Sequence, residues 1–388
     1  MTGRGQAEHA DGGSGWLRVA AGVVAFLVAT AIGIVAFGQF SSGEVDPNTG
    51  AIPTASNSFA LILAVAMLVG AAVTFALEKI QTGRLDSLSR QFTLRVVALM
   101  PIAIAINIVL GQTVAAALKI PIYLDSIGTI LVGVLAGPIA GAATGALANI
   151  LWAYVIPPPF QYPPAAAFAV VAVVIGISAG LAGRYGVLRP RPGRSTGQLV
   201  VAGTLVAVII IGLAWLASVG YQLIFGVDIS PLPTGDDQLF LILGYVAILL
   251  VVAAILGVFA LLFGRRDITA AYAVVVGVAT GIVCALISAP IAAGVFGGVT
   301  GAGTDFLVAA LRQGGADLYA ATTGQGLISD PIDKATTFVI VYLIVVAMAV
   351  RLKARFPQGE QLIEEQEVAE PAAPEAPAAP PAPMESPG

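Results

Sequence analysis

The chain has 388 residues, of which 58% are hydrophobic and only 10% are charged, and its mean hydropathy is +0.94. This composition excludes a water-soluble globular domain and indicates a membrane protein that crosses the bilayer several times. The net charge of -4 is set by the C-terminal tail, whose glutamates outnumber that excess, so it says nothing about the charge of a substrate. We expect no nucleic-acid partner.

The apolar runs predict an all-α polytopic membrane helix bundle with about ten transmembrane helices, because a bilayer core of about 30 Å needs about 20 apolar residues per helix. The predicted spans lie near residues 16–38, 58–78, 94–118, 122–137, 138–156, 165–184, 199–226, 239–263, 268–293 and 335–351. The fourth and fifth are short for a perpendicular crossing, which predicts tilted or partly re-entrant helices.

These spans divide the chain into six segments. They are a polar cytoplasmic N-terminus (1–15), two N-terminal transmembrane helices (16–91), a first part of a helical core (92–198), two additional transmembrane helices (199–267), a second part of the core with a long outer loop at 294–334 (268–355), and a tail (356–388). The tail is acidic, rich in proline and poor in large apolar residues, so we expect it to be disordered.

Basic residues mark one side of the ten-span arrangement. They follow spans two, six, eight and ten, at Lys79, Arg84, Arg90, Arg95, Arg184, Arg189, Arg191, Arg194, Arg265, Arg266, Arg351, Lys353 and Arg355. Because cytoplasmic loops carry an excess of Lys and Arg, this side is predicted to be the cytoplasm. The chain is therefore expected to be a multi-pass protein of the cell membrane with both termini in the cytoplasm.

Glycines recur every fourth residue at 133, 137, 141 and 145. Small residues at this spacing let transmembrane helices approach closely. Pro138 disfavours a continuous helix through Gly137. We therefore predict a tight turn at Gly137-Pro138 between two antiparallel spans, each with a small-residue face.

Polar residues gather at the outer ends of these two spans. Asp125, Ser126 and Thr129 open the fourth span, and Asn149 and Trp152 close the fifth. An acid and an amide beside hydrocarbon are costly unless paired or hydrated, so they predict a functional site. Asp125 could also serve as a helix cap, and the two roles are compatible.

The next outer loop, IPPPFQYPPAAAF, places Phe160 and Tyr162 between prolines. Tyr123, just before Asp125, is expected on the same outer side of the membrane. A stiff aromatic loop is compatible with a lid over a polar pocket or with an aromatic anchor at the membrane interface. We include all three aromatic residues in the candidate substrate site.

The longest outer connection carries Asp305, Asp330, Asp333 and Lys334. The order Asp330-Pro331-Ile332-Asp333 is typical of a helix entry, and it predicts that the last span begins there. Substrate contact is the alternative role for these residues. Asp305 completes the candidate substrate site.

The sequence contains few of the residues and motifs that enzymes and metal sites use. The chain has one cysteine and one histidine and no GxxxxGK[ST] motif, which excludes a P-loop, an intramembrane thiolate or imidazole metal cluster and a Ser/His/Asp relay. We therefore expect no enzymatic activity, no cofactor and no metal site.

Two segments carry a resemblance to a known family. The sequence from Ile120 to Ser126, IPIYLDS, is followed by an apolar run into LAGPIAG at 135–141 and by Gly145 to Asn149. This pattern resembles the second and third helices of substrate-binding S components of energy-coupling factor (ECF) transporters. The last span, with DPIDK at 330–334 and a basic end, is similar to the last helix of some of these proteins.

This resemblance implies a membrane substrate-binding subunit that captures a vitamin-like micronutrient at its outer face. It also implies an ECF T subunit and two ABC-type ATPase subunits as partners in trans. The family core has six helices, so this chain differs by its two N-terminal and two additional helices. The chain also differs in the alanine-based docking strip of the family's first helix, which is imperfect here, because the corresponding face of the third span carries Leu99, Ala103, Asn107 and Gly111.

Two other functions stay open. A self-contained secondary transporter would use intramembrane polar residues and broken helices as a gated pathway, although few ionisable residues are expected within the spans. A membrane sensor or scaffold would use the acidic tail to recruit partners. The aromatic residues near Asp125 favour a small organic ring, neutral or cationic, over an anion.

Overall fold

The structure is a computed structural model that describes residues 5–37, 53–117, 123–215, 252–253 and 256–363. Regular structure in these ranges is helical. The α-helices are α1 Gly5–Phe37, α2 Pro53–Thr82, α3 Asp86–Gln91, α4 Leu94–Gly111, α5 Ile127–Ala136, α6 Pro138–Tyr154, α7 Ala169–Arg184, α8 Thr196–Trp215, α9 Leu256–Arg265, α10 Thr269–Phe296, α11 Asp305–Gln313, α12 Leu318–Ala347 and α13 Val350–Lys353. A π-helical turn (Gln112–Ala117) and 3₁₀ segments (Pro163–Phe168 and Gly359–Leu362) complete them.

Six of the described segments are long and apolar enough to cross a membrane. They are Leu17–Phe37, Ser58–Thr82, Leu94–Val114, Pro163–Arg184, Thr196–Leu213 and Thr269–Phe296. A polytopic helical membrane protein is thereby confirmed, whereas the predicted number of about ten spans is not. Helix α5 has only 10 residues, and most of the span predicted near 239–263 lies outside the described residues.

The turn predicted at Gly137-Pro138 is present. Gly137 has a φ of 125°, a conformation that L side chains rarely adopt, and its N–H donates to the Gly133 carbonyl at the end of α5. Pro138 occupies the first turn of α6, where its missing N–H costs nothing. Glycine followed by proline thus ends one helix and begins the next within a single residue.

Glycines hold α5, α6 and α7 close together, as their spacing predicts. A Cβ added to Gly176 on α7 would overlap the backbone of Gly141 and Ala142 on α6, and one added to Gly141 would meet the Gly176 carbonyl at 2.7 Å. Gly133 on α5 lies against Ala179 in the same way. The repeat is therefore used for packing within the chain.

A second packed unit is formed by α10 and α12, which contact each other over most of their length. Helix α5 contacts α12 and helix α7 contacts α10, so the two units share one apolar core. Phe296, Phe338 and Tyr342 are its largest fully buried side chains. Helices α1 and α2 pair with each other, and α2 contacts the Pro163–Phe168 segment.

Helix α12 begins much earlier than predicted. Asp317 is its N-cap, and the Asp317 carboxylate accepts the Ala320 N–H at 2.8 Å. The predicted helix entry at Asp330-Pro331 is therefore wrong, because these residues lie inside α12. Most of the predicted outer loop at 294–334 is likewise helical, in α11 and the first half of α12. The polar first half of α12 has the hydropathy of a loop, but its charged groups are paired with residues from other elements, so it is stable as a helix.

The strip predicted along the third span faces inward. Ala103, Asn107 and Gly111 on α4 are buried, and the space beside Ala103 is filled by Gly128 of α5. This face is therefore occupied by the chain's own α5 and is not a free docking surface.

A C-terminal strap, defined here as residues 349–363, closes the end of the bundle at which α5 meets α6. The Gln358 N–H donates to the Leu135 carbonyl at 2.9 Å, and the Arg189 Nε donates to the Gln361 carbonyl at 3.0 Å. Leu362 is fully buried, so the prediction of a disordered tail from residue 356 is wrong for residues 356–363, which pack on the bundle. Three of the basic clusters predicted to share one side, those around Arg95, Arg189 and Arg355, meet at this end, since Arg95 also donates to the Arg355 carbonyl at 3.4 Å.

Candidate functional site

A cavity of about 80 Å³ lies at the opposite end of the bundle, several times the space that one water needs. It is enclosed by the loop before α5, the end of α6, the Pro163–Phe168 segment, α7, α10, the loop after α10 and α12. The residues that line it are Tyr123, Asp125, Ser126, Thr129, Gly145, Ala148, Asn149, Trp152, Tyr162, Ala165, Phe168, Val171, Ala172, Ile175, Ser288, Thr300, Ala302, Asp330 and Lys334.

Asp333 of α12 fixes the loop before α5. Its Oδ1 accepts the backbone N–H of Tyr123 at 3.1 Å and that of Leu124 at 2.8 Å. Leu124 has a φ of 51°, which is unusual for a bulky residue and persists only where its surroundings hold it. Asp333 therefore presents the next residues, Asp125 and Ser126, to the cavity.

Lys334 connects the same loop to α12 by its charge. Its Nζ forms ion pairs with Asp333 and, at 3.7 Å, with Asp125, and it donates to the Ser126 Oγ at 3.1 Å. The Lys334 side chain is 4% exposed, whereas that of Asp125 is 26% exposed. A lysine this buried is stable as a cation only with such partners.

Asp125 does not cap α5. Ser126 holds the N-cap position, and Ile127 is the first helical residue. Burial raises the pKa of the Asp125 carboxyl, the nearby Lys334 ammonium opposes this rise, and the Asp333 carboxylate adds to it. Asp125 lines the cavity, and its role in binding a substrate stays a prediction.

Asp330 lies one helical turn before Lys334 and has weaker partners. Its carboxylate accepts from the Ser329 Oγ at 3.2 Å and from the Ser288 Oγ at 3.3 Å. Ser329 in turn accepts from the Gln325 Nε2 at 2.7 Å. Within the described ranges no cationic atom lies within 4 Å of the Asp330 carboxylate.

Two aromatic residues form one wall. The ring centroids of Trp152 and Tyr162 are 4.9 Å apart with planes tilted by 37°. The Trp152 Nε1 donates to the Phe160 carbonyl at 3.1 Å, and the Tyr162 N–H donates to the Trp152 carbonyl at 3.2 Å. The proline-rich loop is thus fastened to the end of α6 and contributes to the wall.

Phe160 itself is 57% exposed and does not line the cavity. Its backbone carbonyl accepts from the Trp152 Nε1, and its place in the substrate site stays a prediction. Its exposed ring suits the alternative of an interfacial anchor.

Tyr123, Thr129 and Asn149 are held by neighbouring elements. The Tyr123 hydroxyl lies 2.7 Å from the Thr304 Oγ1, the Thr129 Oγ1 accepts from the Asn107 Nδ2 at 2.8 Å, and the Asn149 Nδ2 donates to the Phe168 carbonyl at 3.3 Å. Asn107 also accepts the Gly128 N–H at 2.7 Å, so α4 positions the first turn of α5.

Asp305 is at the first turn of α11 and does not line the cavity. Its carboxylate accepts the N–H groups of Thr300 and Gly301 and, at 2.8 Å, the Thr300 hydroxyl. It therefore shapes the loop that brings Thr300 and Ala302 to the cavity.

The structure thus brings seven of the nine predicted site residues to one cavity: Tyr123, Asp125, Ser126, Thr129, Asn149, Trp152 and Tyr162. The sequence prediction missed Ser288, Thr300 and Phe168, and it treated Asp330 and Lys334 mainly as a helix entry. The signal that could have placed Asp330 and Lys334 in the site is their charge within a largely apolar segment, which marks functional residues in membrane proteins. Carboxylates, hydroxyls and aromatic faces around a small cavity suit the reversible capture of a small organic molecule.

Comparison with known proteins yields one family. The family model described as ECF transporter, substrate-specific component, matches residues 95–249 of the 388. No curated protein and no solved structure matches the chain.

The matched region covers the helices from α4 to α8 and runs beyond the described residues, so it includes part of the segment predicted to be additional to the family core. It excludes α10 and α12, which supply Ser288, Asp330 and Lys334. The match confirms the resemblance for this part of the chain: residues 95–249 are similar to the substrate-specific component of ECF transporters. It does not reach the last span, whose resemblance stays a prediction.

Proposed function

We propose that the chain is the membrane subunit of an ECF-type importer that captures a small organic, vitamin-like micronutrient at the outer face. The observation that carries this proposal is the cavity, whose loop before α5 and aromatic wall on α6 lie within the family-matched residues 95–249. The family description is of a transporter component, which agrees with the prediction of a binding protein.

The distribution of charge supports an outward cavity. The basic clusters meet at the strap end of the bundle, and the cavity lies at the other end. Because positively charged loops stay in the cytoplasm, the strap and both termini would be cytoplasmic and the cavity would open outward.

The similarity to the family also supports the proposal that the chain works with partner subunits. A substrate-specific component that lacks a nucleotide-binding motif needs energy from other chains, so we propose an ECF T subunit and a pair of ABC-type ATPases. The inward-facing strip of α4 does not serve as the docking surface, since α5 occupies it.

Affinity purification of the tagged chain from its native membranes in mild detergent, followed by mass spectrometry, tests this proposal. We expect a T-like membrane subunit and ABC ATPases in the eluate. An unrelated tagged polytopic protein from the same membranes is the matched control. Recovery of the chain alone, under conditions that preserve a known membrane complex, would contradict the assembly.

One observation favours a self-contained secondary transporter as the second candidate. Asp330, Asp333 and Lys334 lie buried inside α12 next to Pro331, so ionisable groups are present within a helix where few were expected. Uptake by the purified chain in liposomes, without any other subunit, would select this function over the ECF assembly.

A further inference from the structure

We propose that the captured molecule is a small organic cation with a flat ring, whose positive charge lies between Asp125 and Asp330. This inference rests on the proposed substrate-binding function and specifies the class of substrate. It depends on the charges of Asp125, Asp330 and Lys334 at the cavity and on the ion pair that Lys334 already forms with Asp333.

Lys334 does not neutralise the carboxylates that line the cavity, because its positive charge is already paired with Asp333. Asp333 is fully buried, forms an ion pair with Lys334 and uses its other oxygen for the backbone of Tyr123 and Leu124. The Asp333–Lys334 pair is therefore neutral as a unit. Two further carboxylates, those of Asp125 and Asp330, line the cavity beside it.

The remaining carboxylates are under-neutralised. Asp125 shares Lys334 at 3.7 Å, a longer contact than the one between Lys334 and Asp333. Asp330 has two serine hydroxyls at 3.2 and 3.3 Å. The hydroxyl of Ser288 also lies 3.3 Å from the Ala285 carbonyl, and its single proton can serve only one of these acceptors at a time. A buried carboxylate with such partners is expensive, and a cationic ligand would offset that cost.

The aromatic wall suits the same ligand. The polar atom of the Trp152 ring is already used, since its Nε1 donates to the Phe160 carbonyl. The same holds for Tyr123, a further aromatic residue that lines the cavity, since its hydroxyl pairs with the Thr304 hydroxyl. What these side chains still offer a ligand is the π surface, and the face of Trp or Tyr attracts a cation within about 6 Å. A flat cationic ring would gain from stacking and from charge together.

An anionic ligand fits the described wall poorly. Lys334 is the one basic residue among the described residues that line the cavity, and an anion beside it would face Asp125 and Asp330. A neutral ligand would instead require a proton on one of the carboxylates. The decisive measurement is therefore whether the protein retains cationic, neutral or anionic compounds.

The test uses the purified full chain in lipid nanodiscs and a defined mixture of small ring compounds. The mixture contains equal numbers of cations, neutral molecules and anions at pH 7, including 1-methylnicotinamide, nicotinamide and nicotinate, which share one ring and differ in charge. Retained compounds are released after washing and quantified by mass spectrometry. The same measurement is made on Asp330→Asn, Asp125→Asn and Asp86→Asn, the last being a control on α3, away from the cavity, with a half-exposed side chain.

The expected result is preferential retention of cations, reduced about tenfold or more by Asp330→Asn and by Asp125→Asn and unchanged by Asp86→Asn. Asp125 is partly exposed, so its variant keeps the test decisive even where Asp330→Asn fails to fold. Preferential retention of neutral or anionic compounds, or equal retention of cations by folded variants, would overturn the cationic class and leave substrate binding intact. No retention of any class by the native chain would overturn the proposed function itself.

Discussion

The Asp333 carboxylate accepts the Leu124 N–H at 2.8 Å, across 209 residues of sequence. This bond connects α12 to the loop that precedes α5. Residues 95–249 match the family model, whereas Asp333 lies outside them. The cavity is therefore built jointly by the matched region and by the C-terminal helices, and its geometry depends on the contacts of one buried carboxylate.

Lys334→Met should destabilise the protein by about 3–5 kcal/mol, because it leaves the fully buried Asp333 without its cation. The double variant Asp333→Asn/Lys334→Met should recover part of this loss, since it removes both charges. Unfolding midpoints of the purified variants in mild detergent measure both effects. The single variant Asp333→Asn completes the comparison. A double variant whose loss equals the sum of the losses of Lys334→Met and Asp333→Asn would show that the pair is not coupled.

Gly176→Ala should separate α6 from α7, because the added Cβ would overlap the backbone of Gly141 and Ala142. We expect a loss of about 1–3 kcal/mol and a weakened cavity wall, since neither helix backbone can yield easily. The matched control is Gly212→Ala on α8, where no atom lies within 4 Å of the added Cβ. Equal unfolding midpoints for the two variants would contradict the close approach.

Trp152→Ala should weaken ligand binding by about tenfold or more, because it removes a ring that lines the cavity and stacks on Tyr162. Trp152→Phe keeps a smaller aromatic face and should lose less. Phe160→Ala is the control, since the Phe160 ring is exposed and the hydrogen bond from Trp152 goes to the Phe160 backbone carbonyl, which this variant keeps. Isothermal titration with a compound retained by the native chain measures all three affinities. A larger loss from Phe160→Ala than from Trp152→Ala would restore the lid interpretation.

Leu362→Ala should loosen the C-terminal strap. Leu362 is fully buried at the end of the bundle opposite the cavity, so truncation should cost about 2–5 kcal/mol of stability. Leu352→Ala, at a side chain that is 45% exposed, should have little effect. Limited proteolysis at the C-terminal end, together with unfolding midpoints, distinguishes the two variants. A stable, protected Leu362→Ala chain would mean that the strap contributes little to the fold.

The sequence alone determined the class of the protein and several local features. Apolar runs of bilayer length predict a helical membrane protein, and glycine followed by proline predicts the turn at 137–138, because both depend on local chemistry. Polar residues at the ends of two neighbouring spans predicted most of one cavity wall. Asp125, Asn149 and Trp152 meet there because an antiparallel pair of short helices brings its two outer ends together.

The other wall of the cavity could not be predicted from local sequence patterns. Asp330, Asp333 and Lys334 interrupt the apolar pattern, so hydropathy assigned them to a loop and to the start of a helix. In the folded chain they lie inside α12, where Lys334 pairs with Asp333 and reaches Asp125, and where Asp333 accepts two backbone N–H groups of a distant loop. Buried charge is tolerated in a helix when its partners come from elsewhere in the chain, and no local pattern records where those partners are.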